Sequence, residues 1–494
     1  MAAHAPLYEA LIQLYQSKAV SFHVPGHKYG QMLRQLPGET YSNTQFFQSI
    51  MNIDVTELAG TDDLHAPSGV IAQAQQLAAR CFGAEETFFL VGGSTSGNIA
   101  MLLAVCEPGD QIIVQRNAHK SVLNGLALAG AQALFIMPQT DPFSGLEAAV
   151  ELTVVEEALK RYPDAKGVFL TNPSYYGLSV DLEPYAALLH RYDKLLLVDE
   201  AHGAHYGLHP DFPTSALQAG ADAVVQSTHK TLSALTMGAM LHVQGERIDR
   251  TALRYALRMI QSSSPSYPIM ASLDIARAQV DTMSPSMFKD GLEAAALFKQ
   301  WVREESAVFD TIESWHESEL NVRMDPLRVV LKDVTGTYTG FELLERLQEY
   351  GCWAEMADSK TIVLIFGLAA LEEDVERLKE ALSAIALCIP LEKRKQLGAA
   401  IRLTDQVCKI SEPVVLSRRP LNKSLVEIIN LSESVGRKAA EAVIPYPPGI
   451  PIVYTGEIIS SRTAAWIENL SKQGAKFQAA ADSTMRTIAV IRNS

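Results

Sequence analysis

Short apolar runs alternate with helical patterns over residues 85–245. Between most of these runs, segments such as SGNIAMLLAVC place apolar side chains at i, i+3 and i+4, which is typical of helices. Apolar strands that alternate with helices predict a mainly parallel sheet covered on both faces, and hence a large α/β domain. The predicted strands are TFFLV (87–91), QIIVQ (111–115), QALFI (132–136), GVFLT (167–171), KLLLVD (194–199), DAVVQS (222–227) and GAMLHV (238–243).

The pattern becomes sparser after residue 275. It predicts a strand at LRVVL, a helix at FELLERLQEY, a strand at TIVLIF and a helix at LEEDVERLKEALSAI, which together indicate a small α+β domain. A short amphipathic helix is expected at the N-terminus, a linker at IPLEKRKQLGAA, and a further helix at SSRTAAWIENLSKQ. We therefore expect an N-terminal segment (1–50), a large α/β domain (51–285), a small α+β domain (286–395) and a C-terminal α+β domain (396–494).

Composition narrows the classes of function. The 494 residues carry a net charge of −14, which argues against a nucleic-acid surface because phosphate binding requires clustered Lys and Arg. We see no signal peptide and no apolar run of the roughly 20 residues that a bilayer span requires. The five cysteines are scattered without a CxxC pair, so we expect neither disulfides nor a zinc ribbon, and a reduced, cytoplasmic compartment.

The segment LLLVDEAHGAH (195–205) allows three interpretations. A DEAH-type ATPase would also need a GxxxxGK[ST] phosphate loop, and the chain has no Gly-Lys pair. A metal site would need Asp199, His202 and His205 to converge, which a turn after a strand does not ensure, so we expect no metal. The third interpretation is a strand that delivers one buried carboxylate, Asp199, to an organic cofactor.

The next predicted strand supports the cofactor interpretation. It is followed by Ser227, Thr228, His229 and Lys230, which places a lysine at the carboxyl end of a strand. Such an amine can form a Schiff base with a carbonyl cofactor. Pyridoxal phosphate (PLP) needs such a lysine, a carboxylate against its pyridine nitrogen, a phosphate cradle and a group over its ring. Lys230 and Asp199 supply the first two.

The segment LVGGSTSGNIAMLLAV (90–105) is the candidate phosphate cradle, with a helix predicted to begin around Ser96. A glycine pair permits close backbone approach, and the free N–H groups of a helix N-terminus suit a phosphate, to which Ser94 and Thr95 would add hydroxyls. A Gly-Ser-Thr turn alone is more often an ordinary helix cap. The candidate for the ring face is His119, which follows the strand at 111–115 and is expected to open a helix. It otherwise reads as a capping or surface histidine. Lys120 is a weaker Schiff-base candidate because it precedes the Asp199 strand.

The ordered segments together resemble the Orn/Lys/Arg decarboxylase family, PLP-dependent enzymes of the aspartate-aminotransferase fold. The resemblance spans nearly the whole chain and indicates the compact bacterial type. It is carried by FHVPGHKYG (22–30), DVTELAGTDDLHAPSGVIAQAQQLAARCFGA (54–84), FFLVGGSTSGN (88–98), RNAHKSV (116–122), LTNPSYYG (170–177), VDEAHGAH (198–205), QSTHKTL (226–232) and YPPGIP (446–451).

The resemblance implies a role for each candidate residue. Lys230 would carry PLP, Asp199 would pair with the pyridine nitrogen, and His119 would stack on the ring opposite Ala201. His202 stands where larger members carry an aromatic residue, so its role is open. The phosphate would be bound by Ser94, Thr95, Ser96, Ser227 and His229.

The implied reaction is α-decarboxylation of a basic amino acid, with arginine first, lysine second and ornithine third, in polyamine metabolism. Lys230, His229 and His202 are the candidates to reprotonate the α-carbon. The distal cation of the substrate needs an acidic partner, for which Glu57, Asp62, Asp63 and Glu457 are candidates.

Sites of this fold lie between two subunits, so we expect a homodimer or a higher homo-oligomer. Two rival functions remain. One is another PLP enzyme of the same fold type, an α-oxoamine synthase or an aminotransferase, and the other is a catalytically silent metabolite-binding protein.

Overall fold

The computed structural model describes residues 4–31, 33, 38–141, 144–147, 149–313, 322–369, 371–390, 409–445, 449–478 and 480–492. Within these residues no helix is long and apolar enough to cross a bilayer. Cys408, most of the predicted linker and the first three residues of YPPGIP lie outside the described residues.

The helices are numbered in chain order. They are α1 (Pro6–Gln16), α2 (Gly38–Met51), α3 (Val70–Phe82), α4 (Gly93–Val105), α5 (Lys120–Ala129), α6 (Leu152–Arg161), α7 (Glu183–Arg191), α8 (Thr228–Thr231), α9 (Arg250–Ile260), α10 (Tyr267–Met283), α11 (Lys289–Glu305), α12 (Gly340–Glu349), α13 (Glu372–Leu387) and α14 (Ser461–Lys472).

The strands are numbered in the same way. They are β1 (Glu86–Leu90), β2 (Gln111–Gln115), β3 (Gln132–Ile136), β4 (Gly167–Thr171), β5 (Leu178–Val180), β6 (Leu195–Asp199), β7 (Ala223–Gln226), β8 (Ala239–Val243), β9 (Phe309–Thr311), β10 (Val322–Met324), β11 (Arg328–Asp333), β12 (Met356–Ala357), β13 (Thr361–Ile365), β14 (Val414–Val415), β15 (Val426–Asn430), β16 (Ile444–Pro445), β17 (Phe477–Gln478) and β18 (Thr487–Ile491).

The chain divides into two compact units. The first comprises Met1–Val105, Gly167–Asn172 and Leu182–Met287, and the second comprises Cys106–Lys166, Pro173–Asp181 and Phe288–Ser494. The seven strands predicted between residues 85 and 245 are all present, as β1 to β4 and β6 to β8, which confirms the α/β class with a large, mainly parallel sheet. The proposed domain boundaries stay a prediction.

The first unit carries the strands of the candidate site. Their order is β1-β8-β7-β6-β4, with β4, β6 and β7 parallel and β8 antiparallel to both β7 and β1. The side chains of β7 and β8 are buried throughout, and most of them are apolar, as is usual for strands covered on both faces. Because β1, β6 and β7 run in the same direction, their carboxyl ends lie at the same edge of the sheet.

The second unit combines several smaller sheets. Within this unit β2 and β3 are parallel, and β14 adds an antiparallel edge strand that the periodicity had not indicated. The antiparallel order β12-β13-β11-β9 carries α11, α12 and α13, and these elements confirm the strands and helices predicted for residues 327–385. The predicted helix near residues 460–473 is α14, which packs its Ile467 into a small apolar cluster with Val443 and Val490.

Candidate active site

Asp199 is the last residue of β6, and its carboxylate is almost fully buried, with 3% of the residue exposed. Its Oδ2 accepts a hydrogen bond from Asn98 Nδ2 at 2.8 Å, and its Oδ1 accepts one from the backbone N–H of Ala201 at 3.1 Å. Both oxygens therefore have a fixed donor, and the carboxylate is held in one orientation. Asn98 was missed by the sequence reasoning, because a contact between residues 101 positions apart leaves no signal in one sequence.

Lys230 lies in α8, directly after the neighbouring parallel strand β7. Its Nζ is 2.9 Å from Nε2 of His202, which is buried in the turn that follows β6. The two strand ends thus bring the predicted lysine and the predicted histidine into direct contact. At this distance a proton can pass between the amine and the imidazole.

His229 has one ring nitrogen bound by the chain. Its Nδ1 lies 2.9 Å from the carbonyl oxygen of Gly238, which also accepts the backbone N–H of His229. A carbonyl only accepts, so Nδ1 must carry a hydrogen. Nδ1 of His229 is therefore not available as an acid or a base toward another molecule.

The predicted phosphate cradle is the beginning of α4, which starts at Gly93, three residues earlier than predicted. Gly93 has a φ of +73°, a conformation that glycine adopts without strain. Ser94 and Thr95 have accessible side chains, whereas Ser96 is buried and donates its Oγ hydrogen to the Gly93 carbonyl at 2.8 Å. The Gly93 N–H donates to the Met237 carbonyl oxygen. This hydrogen bond joins the start of α4 to the segment that follows Lys230.

The hydroxyl of Ser227 supports a phosphate at this edge. Its Oγ is fully buried and, among the described residues, has no hydrogen-bond partner. A buried hydroxyl without a partner is costly, and a phosphate oxygen would satisfy it. Three kinds of donor therefore fit the phosphate of PLP. They are the Ser227 hydroxyl at the end of β7, the N-terminus of the 13-residue helix α4, and the accessible hydroxyls on that helix.

Glu200 is a second buried carboxyl that the sequence reasoning did not single out. It accepts hydrogen bonds from the backbone of Ala216 and from Gln226 Nε2, both at 2.7 Å. Burial, which outweighs these two bonds, raises the pKa of Glu200 to about 8. Gln226 in turn accepts from His242, whose other ring nitrogen bonds to Thr87, so a buried polar chain runs from Glu200 across the strands of the first unit.

His119 lies in the second unit, where it caps α5. Its Nδ1 is 2.8 Å from the hydroxyl of Ser121 and accepts the backbone N–H of the same residue. Lys120 donates to Gln478 at 2.6 Å. The predicted helix start is confirmed, whereas the stacking of His119 on a cofactor ring stays a prediction.

The four acidic candidates for the substrate cation differ in how their oxygens are used. Asp62 accepts five backbone N–H groups, from Asp63, Ser68, Gly69, Ile71 and Ala72, at the N-terminus of α3. Burial raises the pKa of its carboxyl, but the backbone hydrogen bonds outweigh burial and leave the pKa lowered. Its oxygens are therefore engaged in building the loop.

The other three acids are less fully engaged. Asp63 accepts the N–H of His65 on Oδ1. Glu457 pairs with Arg116 at 3.0 Å and accepts the N–H of Tyr454 within the second unit. Glu57 accepts only the hydroxyl of Thr56 on Oε2, and its Oε1 is buried without a hydrogen-bond partner in the part of the chain that the structure describes.

The two histidines of the DEAH segment have different surroundings. His202 contacts Lys230, whereas His205 is fully buried and lies edge-on to the ring of Phe212, with ring centroids 4.5 Å apart. Across the described ranges, no group of three or more His, Cys, Asp or Glu side chains could hold a metal ion. His202 therefore contacts the candidate Schiff-base lysine, whereas His205 packs in the protein interior.

The comparisons with known proteins agree with this geometry. The profile of the Orn/Lys/Arg decarboxylase major domain matches residues 5–374, and that of the Orn/Lys/Arg decarboxylase C-terminal domain matches residues 409–479. A Bacillus subtilis protein named "Uncharacterized protein YaaO" is 41% identical over 94% of each chain. The arginine decarboxylase of the same organism is 34% identical over 99% of this chain and 98% of its own.

More distant relatives have other substrates in their names. Lysine decarboxylase LdcA of Pseudomonas aeruginosa is 26% identical over 94% of this chain and 75% of its own. The crystal structure of the Francisella novicida lysine decarboxylase LdcF superimposes with a TM-score of 0.79 and 19% identity, covering 99% of this chain and 81% of that one. The serine palmitoyltransferase of Sphingomonas wittichii gives a TM-score of 0.52 and 18% identity over 65% and 78%. At these identities the two structures show the fold.

Proposed function

This chain belongs to the Orn/Lys/Arg decarboxylase family, PLP-dependent decarboxylases of basic amino acids, and we propose that its substrate is arginine, which it converts to CO2 and agmatine. The observation that carries the proposal is the sheet edge at which β6 and β7 present Asp199 and Lys230. Arginine ranks first because the relative named arginine decarboxylase is 34% identical, against 26% for the relative named lysine decarboxylase. Lysine ranks second and ornithine third, and we place the reaction in polyamine metabolism.

Each candidate residue has a proposed part in the binding of PLP. Lys230 would hold the cofactor through its amine, and Asp199 would accept a hydrogen bond from the protonated pyridine nitrogen. His119 and Ala201 are the residues proposed for the two ring faces. When bound, PLP supplies an electron sink for the electron pair that the departing carboxylate leaves behind. The phosphate would be bound by Ser94, Thr95, Ser96, Ser227 and His229.

Asp199 must remain ionised to do this work. A carboxylate that accepts a hydrogen bond from the protonated ring nitrogen would keep that nitrogen positively charged, and a positive ring draws electrons most strongly. Asn98 and the N–H of Ala201 each donate a hydrogen bond to one oxygen of Asp199, and together they hold the carboxylate in one orientation. The almost complete burial of Asp199 excludes water, which would otherwise compete for the same proton.

The proton that replaces the carboxyl group at the α-carbon comes from the Lys230–His202 pair. The 2.9 Å contact between Lys230 Nζ and His202 Nε2 allows the imidazole to hold a proton and to return it to the amine. His229 is the alternative donor. Placing the acid on the α-carbon side directs the reaction to the amine and away from transamination.

Glu57 is our first choice for the acid that meets the guanidinium. Its buried Oε1, without a hydrogen-bond partner among the described residues, is the group that a cation would satisfy. The other three acids already have partners. Asp62 accepts hydrogen bonds from five backbone N–H groups, Asp63 accepts the N–H of His65, and Glu457 pairs with Arg116. A guanidinium offers a fork of donors to a carboxylate, whereas an ammonium makes a point contact.

We also propose that the enzyme is a homodimer or a higher homo-oligomer and that it works in the cytoplasm. The first rests on the fold, whose sites lie between subunits, and the second on cysteine chemistry. Cys81, Cys106, Cys352 and Cys388 form no disulfide. A reducing compartment is consistent with unpaired thiols.

The test is amine formation from arginine, lysine and ornithine in parallel, by purified protein with added PLP. We expect agmatine from arginine at the highest kcat/KM, and no amine from any substrate after Lys230→Ala. Cadaverine or putrescine as the main product would mean that lysine or ornithine, and not arginine, is the substrate. No amine from any of the three, with PLP bound, would favour the oxoamine-synthase or aminotransferase rival.

A further inference from the structure

The carboxylate of Asp199 is restrained from two directions. Asn98, on α4, donates to Oδ2, and Ala201, in the turn after β6, donates to Oδ1. Rotation of the carboxylate about its Cβ–Cγ bond would break both hydrogen bonds. One of the two donors lies on α4 and the other follows β6. The orientation of Asp199 therefore depends on how closely α4 approaches the sheet.

Gly97 determines that approach. A Cβ atom at this position would lie 2.5 Å from Val225 Cγ2 and 2.8 Å from Leu90 Cδ1, distances that real side chains do not tolerate. Val225 is the residue that pairs with Asp199 across β6 and β7. The helix therefore lies against the sheet at the level of Asp199, as near as a glycine allows, and the next residue, Asn98, reaches the carboxylate.

The chemical type of the donor suits a carboxylate that must accept a proton from a ring nitrogen. The side chain of Asn98 is fully buried and its amide is neutral. A neutral donor orients the carboxylate without forming an ion pair with it. An arginine or lysine at this place would compensate the charge of Asp199 and weaken its hold on a positively charged nitrogen.

We propose that Asn98 is a positioning residue for PLP, which acts by fixing Asp199, and that Gly97 is the residue that lets it do so. The inference rests on the proposed function only in taking PLP as the cofactor. It assigns no contact between Asn98 and PLP itself. It explains why glycine and asparagine follow each other directly after the phosphate cradle in GGSTSGN (92–98).

The first test is the affinity of the apoenzyme for PLP, measured by absorbance titration, which needs no substrate. Asn98→Leu keeps the size of the side chain and removes the donor, and we expect the Kd for PLP to rise about 10- to 100-fold, as for loss of a hydrogen bond to a charged group. The pH at which the absorption spectrum of the bound cofactor changes should move by about one unit, because the ring nitrogen holds its proton less firmly.

A double-mutant cycle separates positioning from packing. In an Asp199→Ala background, Asn98→Leu should leave the Kd for PLP unchanged within about twofold, because the residue through which Asn98 acts is gone. An equal rise in Kd in both backgrounds would show that Asn98 only packs, and would overturn the proposal. If Asn98→Leu fails to fold, Asn98→Ala, which also removes the amide donor, is used in the same cycle.

Gly97→Ala supplies an independent variant, with Gly367→Ala as its matched control, since a Cβ at Gly367 meets no atom within 4 Å. We expect Gly97→Ala to weaken PLP binding at least about tenfold and Gly367→Ala to leave it unchanged. Equal PLP affinities for the two alanine variants and the wild type would contradict the role of Gly97. PLP titration reports on this inference even if arginine proves not to be the substrate.

Discussion

Asp199 and Asp62 are two carboxylates of the first unit that the chain holds with its own hydrogen-bond donors, but the donors differ. Asp62 accepts five backbone N–H groups where α3 begins, which consumes its hydrogen-bonding capacity. Asp199 accepts one backbone N–H group and one side-chain amide, one on each oxygen. A carboxylate that builds a loop is saturated, whereas one that serves a cofactor is oriented and keeps lone pairs for its ligand.

Replacement of Asp199 should have the largest effect on catalysis. Asp199→Ala leaves a positively charged ring nitrogen without its buried partner, a loss of about 3–5 kcal/mol, or roughly 100- to 4,000-fold in kcat/KM for arginine. The thermal midpoint of the apoenzyme should fall as well, because the buried amide of Asn98 loses its acceptor, so kcat/KM is compared at equal amounts of folded protein. A variant that keeps more than about half of the wild-type kcat/KM would contradict the role given to Asp199.

The corresponding change at Asp62 should affect the fold instead. Asp62→Ala should lower the free energy of unfolding by about 2 kcal/mol, because it removes the carboxylate at the start of α3, and kcat for the folded enzyme should stay within about twofold. Because hydrogen bonding lowers the pKa of Asp62 in the folded state, its stabilisation is present above the ordinary pKa and is lost as the pH falls through the folded value.

The check is denaturant unfolding of the wild type and Asp62→Ala at several pH values. The difference between the two proteins should shrink below about pH 4. A raised KM for arginine at unchanged stability would instead return Asp62 to the substrate site, as the sequence alone allowed.

Glu200 is a third carboxyl of the first unit with which Asp199 can be compared. It directly follows Asp199 in the chain and is fully buried. Its pKa is raised to about 8 in the folded state from an ordinary 4.5, so it stabilises the fold fully below pH 4.5, and this contribution is lost as the pH rises toward 8. The free energy of unfolding should therefore fall by roughly 1.4 kcal/mol per pH unit across this window from this group alone.

Glu200→Gln tests this because an amide does not titrate. Unfolding curves at pH 5, 6, 7 and 8 should show a shallower decline for the variant than for the wild type. Parallel declines would mean that Glu200 does not titrate in this range. A fixed loss of stability at every pH is expected as well, because one amide hydrogen would face a donor.

The smallest expected effect is on substrate binding. Glu57→Gln should raise KM for arginine about tenfold with kcat nearly unchanged, since it removes a charged acceptor that meets the guanidinium in both the ground state and the transition state. Glu457→Gln is the matched comparison, because that carboxylate already pairs with Arg116. A larger rise in KM for Glu457→Gln than for Glu57→Gln would reverse the assignment.

Periodicity and motif order predicted much of this arrangement, because each depends on local residues. The runs that end at Asp199 and Gln226 are strands, since buried apolar runs between polar turns have few alternatives. His119 was correctly expected to begin a helix. The helix of the phosphate cradle starts at Gly93 instead of near Ser96, because the positive φ of Gly93 lets the turn close earlier.

Contacts between distant segments were out of reach of the sequence. The bond from Asn98 to Asp199 depends on the distance between α4 and the sheet, which Gly97 sets through Val225 and Leu90. The engagement of Asp62 depends on the path of residues 62–72, in which Asp62 itself has a φ of +68°. One sequence shows that these acids exist, but not which of their oxygens are already bonded.

The most direct test of the account is the release of labelled CO2 from carboxyl-labelled arginine by the wild type, Asp199→Ala and Asp62→Ala, with PLP in excess and equal amounts of folded protein. We predict that the wild type and Asp62→Ala release CO2 at similar rates and that Asp199→Ala releases almost none. CO2 release by Asp199→Ala at the wild-type rate, or none from the wild type, would contradict the account.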